Sequence, residues 1–267
     1  MKLIQSRDNA FFKQLKRLAE SGRERRKAGQ TLLDGLHLVE AWETHRAPVE
    51  QLVVAESALA GGEIAAYVGQ RDCTVLADSL MRELGIVETP SGLLAIVETP
   101  VPAVSPDVHA DAVLLDGVQD PGNLGSLIRT AAAAGVRQVL LSPGCAAAWS
   151  PKVLRAGQGA HFVVNVHEEL DLEHFMTLYC GDTVVTSLAD STSLFDVSLD
   201  GPLAWVFGAE GAGVRPALLE IAARRVRIPM PGAVESLNVG AAAAVCLFEM
   251  VRRRNVVPAE GQGAGIS

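Results

Sequence analysis

The sequence is poor in aromatic residues, at 4%, and its four cysteines, Cys73, Cys145, Cys180 and Cys246, lie too far apart to form metal-ligand pairs or a disulfide framework. That spacing argues against a zinc module and a disulfide-stapled secreted scaffold, and fits a reducing, cytoplasmic setting. No apolar run reaches the roughly 20 residues needed to cross a bilayer. The stretch Met1 to Gln14 mixes charges with its apolar residues, so no leader or anchor is expected there. The six histidines show no ligand spacing and nothing calls for a metal; His161, beside Phe162 and Val163, is expected to be a satisfied near-core histidine. Basic residues are in deficit, 23 Lys and Arg against 31 Asp and Glu for a net charge of −8, which argues against non-specific coating of nucleic acid.

What is present is an apolar chain, 49% hydrophobic and rich in Ala, Val, Leu and Gly, suited to helices packed tightly on a sheet. At 267 residues it has room for two domains. The acidic average hides an asymmetry. Lys2, Arg7, Lys13, Lys16, Arg17, Arg23, Arg25, Arg26 and Lys27 fall in the first thirty residues, against only Asp8, Glu20 and Glu24. Lys13, Lys16, Arg17, Arg23, Arg25 and Arg26 are therefore candidate RNA contacts, although composition alone fits a solvated helix face equally well.

Phe11, Phe12, Leu15, Leu18 and Ala19 recur at helical spacing and predict an amphipathic helix from about Asn9 to Ser21, ended by Gly22. Strands at Thr31 to Leu33, Gln51 to Val54, Thr74 to Leu76 and Gly92 to Val97, with a helix at Leu36 to Trp42, make a first α/β unit. The prolines at 100, 102 and 106 interrupt it, which puts a linker there and divides the chain into 1–105, 106–257 and a flexible Gly-rich tail, 258–267. In the second unit, buried-type runs at Ala112 to Leu115, Gln138 to Leu141, Thr183 to Thr186 and Leu203 to Phe207 alternate with helices at Leu124 to Ala134 and Val239 to Arg253. That order implies a parallel sheet covered by helices.

Three segments carry candidate chemistry. Asp116 to Arg129 is a glycine-containing turn between a buried strand and a helix, the place where α/β sheets bind ligands. It lacks the glycine spacing of a dinucleotide fingerprint, and by itself fits an ordinary capping turn with a surface arginine. Trp205 to Gly213 runs an apolar strand into glycines around Glu210, which would let a ligand approach backbone amides. Ile228 to Val239 is a proline-stiffened loop before a helix start, where Ser236 or Asn238 could serve only as a cap.

Together, in this order, the three resemble the motifs of the SpoU (TrmH-type) RNA ribose 2′-O-methyltransferases of the SPOUT superfamily. Asn123, Gly125 and Arg129 match the first motif, Gly208, Glu210, Gly211 and Gly213 the second, and Ile228-Pro229-Met230 with Ser236-Leu237-Asn238-Val239 the third. Residues 150–156 also resemble the family's intermediate segment, departing from it at Gly157, where serine is common. The first hundred residues, with Leu32 to Gly35 and His37 to Ala41, resemble the family's ribosomal-protein-like RNA-binding domain, with Asp34 in place of the more usual glutamate.

The resemblance implies a C-terminal domain with a trefoil knot, S-adenosylmethionine as methyl donor, rRNA or tRNA as acceptor, and a homodimer that builds each active site near the subunit boundary. It implies that Thr186, Ser187, Gly208, Ile228, Met230 and Leu237 hold the donor, with Ile228 and Leu237 flanking its base. It assigns Arg129 to the ribose hydroxyl and leaves Asn123, Glu210, Ser236 and Asn238 to orient the reacting groups. A guanidinium stays protonated, so Arg129 is expected to stabilise a developing alkoxide rather than abstract a proton. Two other classes fit parts of the sequence: a nucleotide-binding oxidoreductase and a catalytically silent RNA-binding module.

Overall fold

The computed structural model describes residues 2–69, 71–86, 90–234 and 236–255; the expected tail at 258–267 lies outside them. The first unit runs β1 (Lys2–Ile4), α1 (Ala10–Glu20), α2 (Gly22–Ala28), β2 (Gln30–Asp34), α3 (Leu36–His45), β3 (Gln51–Ala55), α4 (Gly62–Val68), β4 (Cys73–Leu76), α5 (Asp78–Glu83) and β5 (Leu93–Glu98). The second runs β6 (Ala112–Asp116), α6 (Pro121–Ala133), β7 (Gln138–Leu141), α7 (Pro151–Gly157), β8 (Asn165–His167), α8 (Leu172–Leu178), β9 (Asp182–Thr186), β10 (Thr192–Ser193), β11 (Leu203–Gly208), α9 (Pro216–Ile221), β12 (Arg224–Arg227) and α10 (Val239–Asn255). Among the described residues the strands form a mixed sheet, β1-β4-β3-β5-β2, and a parallel one, β10-β12-β9-β11-β6-β7-β8.

The strands of the parallel sheet's centre are apolar throughout because both faces are covered: every residue of β6 and β11 is buried. The two sheets are not independently packed. Leu33, Leu38 and Trp42 of the first share one apolar core with Val113, Leu115 and Phe162 of the second. Trp42 meets Phe162 edge-on with ring centroids 5.2 Å apart. Polar contacts join them too: Thr31 Oγ1 donates to the Trp149 carbonyl at 2.6 Å, and Arg155 Nη1 to the buried Asp34 carboxylate at 2.7 Å. Asp34 therefore ties the first unit to the second, and its other oxygen accepts from Ser91 Oγ at 2.6 Å.

Three expectations change. Gly22 does not end the helical region: Ser21 breaks α1, then accepts from the Glu24 amide as N-cap of α2, so the basic stretch is itself helical. The helix after β6 starts at Pro121, not Leu124, because Asp120 caps it through the Asn123 amide at 2.7 Å and proline suits the first turn. His161 is fully buried, as expected, but neither ring nitrogen has a hydrogen-bond partner among the described residues.

Burial holds the His161 pKa down from 6.5 to about 4; the nearby Ala148 backbone opposes the shift without reaching hydrogen-bond geometry, and the ring packs against Trp149, centroids 5.4 Å apart. A histidine depressed in the folded state binds more protons when unfolded between those two values, so stability is intact above about pH 6.5 and falls as pH drops towards 4. His161 alone is expected to remove about 3 kcal/mol across that window. Denaturant melts at pH 7 and pH 4 should give a stability difference between the unaltered chain and His161→Leu that changes by this amount; a constant difference would refute it. The same packing accounts for Gly157, since a Cβ there would lie 2.5 Å from His161 Cε1 and serine would force the ring to move.

Candidate active site

The carboxyl ends of β9, β11 and β12 open into a cavity of about 580 Å³. Thr186 and Ser187 line it from the end of β9, Gly208 and Glu210 from the loop after β11, and Ile228 and Met230 from the loop after β12. Ser236, Leu237 and Asn238 close it from the approach to α10. The lining also includes Leu188 and Ala242, whose sequence positions carry no motif to single them out. Its size is that of a pocket for a nucleoside-sized ligand. Leu188 and Leu237 are 63% and 40% exposed, so apolar surface borders the cavity where a flat base would cover it.

The loop after β11 is tightly folded. The Gly213 amide donates to the Ala209 carbonyl at 2.8 Å, bringing the loop back across Gly208, where a Cβ would lie only 2.1 to 2.2 Å from the Gly213 and Val214 backbone. Asp116, at the end of β6, steadies the far side by accepting from the Arg215 amide at 2.9 Å and from Arg215 Nε at 2.8 Å. That anchor is a buried carboxylate at a strand end; only the strand run and the following glycine turn hinted at it.

Asn123 and Arg129 do not line the cavity. Asn123 is nevertheless linked to it: its Nδ2 donates to Glu210 Oε1 at 2.6 Å, and its Oδ1 accepts from Asn238 Nδ2 at 2.9 Å. Asn238 Oδ1 in turn accepts from the Gly240 and Ala241 amides, so the capping role and the site role coexist in one side chain. One residue from each of the three motifs thus meets in a single chain of hydrogen bonds. The approach of α6 to α7 depends on Gly125, where a Cβ would fall 2.5 Å from both Ala156 Cβ and the Val153 carbonyl oxygen. Gly125 is buried, whereas Arg129, one turn further along α6, is exposed and has no hydrogen-bond or ion-pair partner among the described residues.

The amino-terminal cations differ among themselves. Arg25 is buried, its guanidinium donating to the Leu18 and Ala19 carbonyls at the end of α1, which removes it from the expected RNA-facing set. Lys13 pairs with Asp8 at 2.9 Å, and Lys16 with Glu83 at 3.1 Å. Arg17, Arg23 and Arg26 are exposed.

Residues 111–248 match the SpoU rRNA Methylase family model. The chain belongs to the SpoU rRNA methylase family. Residues 9–95 match an MRM3-like substrate binding domain, so the SpoU chain carries a recognised module in each half. It is 33% identical over 254 residues, covering 94% of this chain and 99% of the relative, to the 23S rRNA (guanosine(2553)-2'-O)-methyltransferase RlmP of Bacillus subtilis. It is 43% identical over 143 residues to a 23S rRNA (guanosine-2'-O-)-methyltransferase RlmB of Burkholderia, covering 52% of this chain and 58% of that one. Its fold is similar to that of the SpoU methyltransferase AviRb from Streptomyces viridochromogenes, solved in complex with AdoMet, with a TM-score of 0.81, 28% identity and coverage of 92% and 98% of the two chains.

Proposed function

We propose that this SpoU protein transfers a methyl group from S-adenosylmethionine to a ribose 2′-hydroxyl of RNA, with ribosomal RNA favoured by the named relatives. The observation that carries the reading is the hydrogen-bonded chain Glu210–Asn123–Asn238 at the mouth of a cavity bounded by Gly208, Ile228 and Leu237. The cavity's size supports that reading, as does its lining by residues of three loops, with the apolar Ile228 and Leu237 available to flank a nucleobase. When bound, the donor supplies an electrophilic methyl on a sulfonium. Thr186, Ser187, Gly208, Ile228, Met230 and Leu237 hold and orient it. Asn123, Glu210, Ser236 and Asn238 align the acceptor, and fixing two reactants in line can lower the barrier by several kcal/mol.

Arg129 is the cation for the hydroxyl oxygen as it gains negative charge. Its position outside its own chain's cavity supports a homodimer in which the active site lies at the subunit boundary. The exposed side of α10, with Ala241, Val245 and Phe248 at helical spacing, supplies apolar surface for that contact. The reading also includes a trefoil knot in 106–257, an RNA-binding unit in 1–105 and a cytoplasmic setting.

Calorimetry with S-adenosylhomocysteine and with NAD, followed by radiolabelled methyl transfer into ribosomal RNA, tests the reading. Binding of S-adenosylhomocysteine alone and 2′-O-methyl incorporation are expected. Tight binding of NAD alone would favour an oxidoreductase, and donor-free RNA binding a silent module.

A further inference from the structure

A second concavity, of about 400 Å³, opens where the two sheets meet. Arg25 and Arg26 of α2 form one wall, Pro100 and its neighbours in the linker another, and Trp149, His167 and Glu168 the floor. His167 ends β8, so this cleft lies on the carboxyl edge of the same parallel sheet that holds the donor cavity farther along.

The charges around it are not evenly spent. On α1, Lys13 and Lys16 are paired with Asp8 and Glu83, which leaves that face close to neutral. Arg17 of α1 and Arg23, Arg26 and Lys27 of α2 are exposed and have no ion-pair partner among the described residues; three of these four cations are on α2, and Arg26 lines the cleft. Inside, Glu168 reaches solvent, while the protein crowding its carboxylate raises its pKa despite the fields of Arg26 and Arg25. One of its oxygens accepts from the Ala148 amide at 2.8 Å; the other has no hydrogen bond among the described residues.

A carboxylate offers only acceptors, so it repels a phosphate and suits the N–H groups on the edge of a nucleobase. Cations at a rim and a carboxylate acceptor within suit single-stranded RNA, in which phosphates position and the edge of a splayed base is read. We propose that this interdomain cleft binds a single-stranded segment of RNA, with phosphates at Arg23, Arg26 and Lys27 and the edge of one unstacked base at Glu168. The proposal rests on the RNA methyltransferase reading and deepens it by naming where a segment of the RNA substrate away from the reacting ribose is held.

The test uses the full chain and a fluorescent single-stranded RNA of roughly 20 nucleotides, long enough to span a groove of this kind, titrated at several salt concentrations. The double variant Arg26→Glu/Lys27→Glu is expected to bind at least about tenfold more weakly, with a salt dependence shallower by about two ions. Lys13→Glu/Lys16→Glu should change affinity less than about twofold. Glu168→Gln keeps an acceptor for the Ala148 amide but not the charged one for the base, and is expected to weaken binding severalfold. Simple electrostatics predicts the opposite for that variant, since it removes a negative charge.

Equal losses in the two double variants, tighter binding by Glu168→Gln, or equal competition by polyglutamate would overturn the cleft. Circular dichroism and S-adenosylhomocysteine affinity are expected to be unchanged in every variant, which separates RNA binding from folding. Failure of the unaltered chain to bind S-adenosylhomocysteine would sink the methyltransferase reading instead, and the RNA comparisons would still decide the cleft.

Discussion

Replacing Arg129 by alanine is expected to lower methyl transfer roughly 100- to 1,000-fold, the range found when one charge-stabilising donor is removed from an active site. S-adenosylhomocysteine affinity should not change, because Arg129 stands outside the cavity lining. Thermal stability should hardly move either, since the side chain is exposed and makes no hydrogen bond or ion pair among the described residues. An exposed guanidinium with no internal partner is open to an external one. Arg129→Lys keeps the charge and loses the planar fork, so an intermediate rate is expected. The subunit-boundary arrangement adds a sharper expectation. If Arg129 serves the cavity of the other subunit, mixing Arg129→Ala with a variant inactive in the donor cavity restores activity, because one site of each mixed dimer then has both parts intact. Full turnover by Arg129→Ala alone would end its catalytic role, and failed complementation in mixed dimers would place it within its own subunit's site.

Much of this was legible in the sequence because the informative residues are of the kinds that leave a pattern. Apolar runs such as Ala112 to Leu115 and Leu203 to Phe207 read as buried parallel strands, and β6 and β11 lie there. The convergence of the three motif segments followed from their order along a parallel sheet, whose carboxyl ends share one edge. What stayed hidden depends on contacts between distant residues. Arg25 reads as one more cation in a basic stretch; only the end of α1 beside it shows that its guanidinium is held by the Leu18 and Ala19 carbonyls. His161 reads as a histidine that finds a partner, yet the space left by Gly157 and Trp149 offers it contact without a hydrogen bond. β1 and β10, at three and two residues, are too short to show alternation and exist because a neighbouring strand offers an edge.

Gly208→Ala is the substitution expected to do most harm per atom added. A methyl group there would fall 2.1 Å from the Gly213 carbonyl carbon and 2.2 Å from the Val214 nitrogen, both backbone atoms with no rotamer through which to yield. The loop from Ala209 to Gly213 must therefore swing away, and it carries Glu210 out of reach of Asn123, breaking the 2.6 Å bond that joins the second motif to the first. It also opens the cavity wall formed by Gly208, Ala212 and Gly213. At least a hundredfold loss of S-adenosylhomocysteine affinity is expected, on the order of 3 kcal/mol, together with loss of methyl transfer. Gly211→Ala in the same loop is the matching control, because a Cβ there meets nothing within 4 Å and its backbone lies outside the left-handed region; near-normal donor binding is expected. Circular dichroism distinguishes a displaced loop from a collapsed sheet, since β11 is paired along its length with β6 and β9 and should persist. Equal donor affinity in the two variants would mean that the close crossing at Gly208 does not shape the donor site, and the cavity would lose its claim to be where the methyl group is delivered.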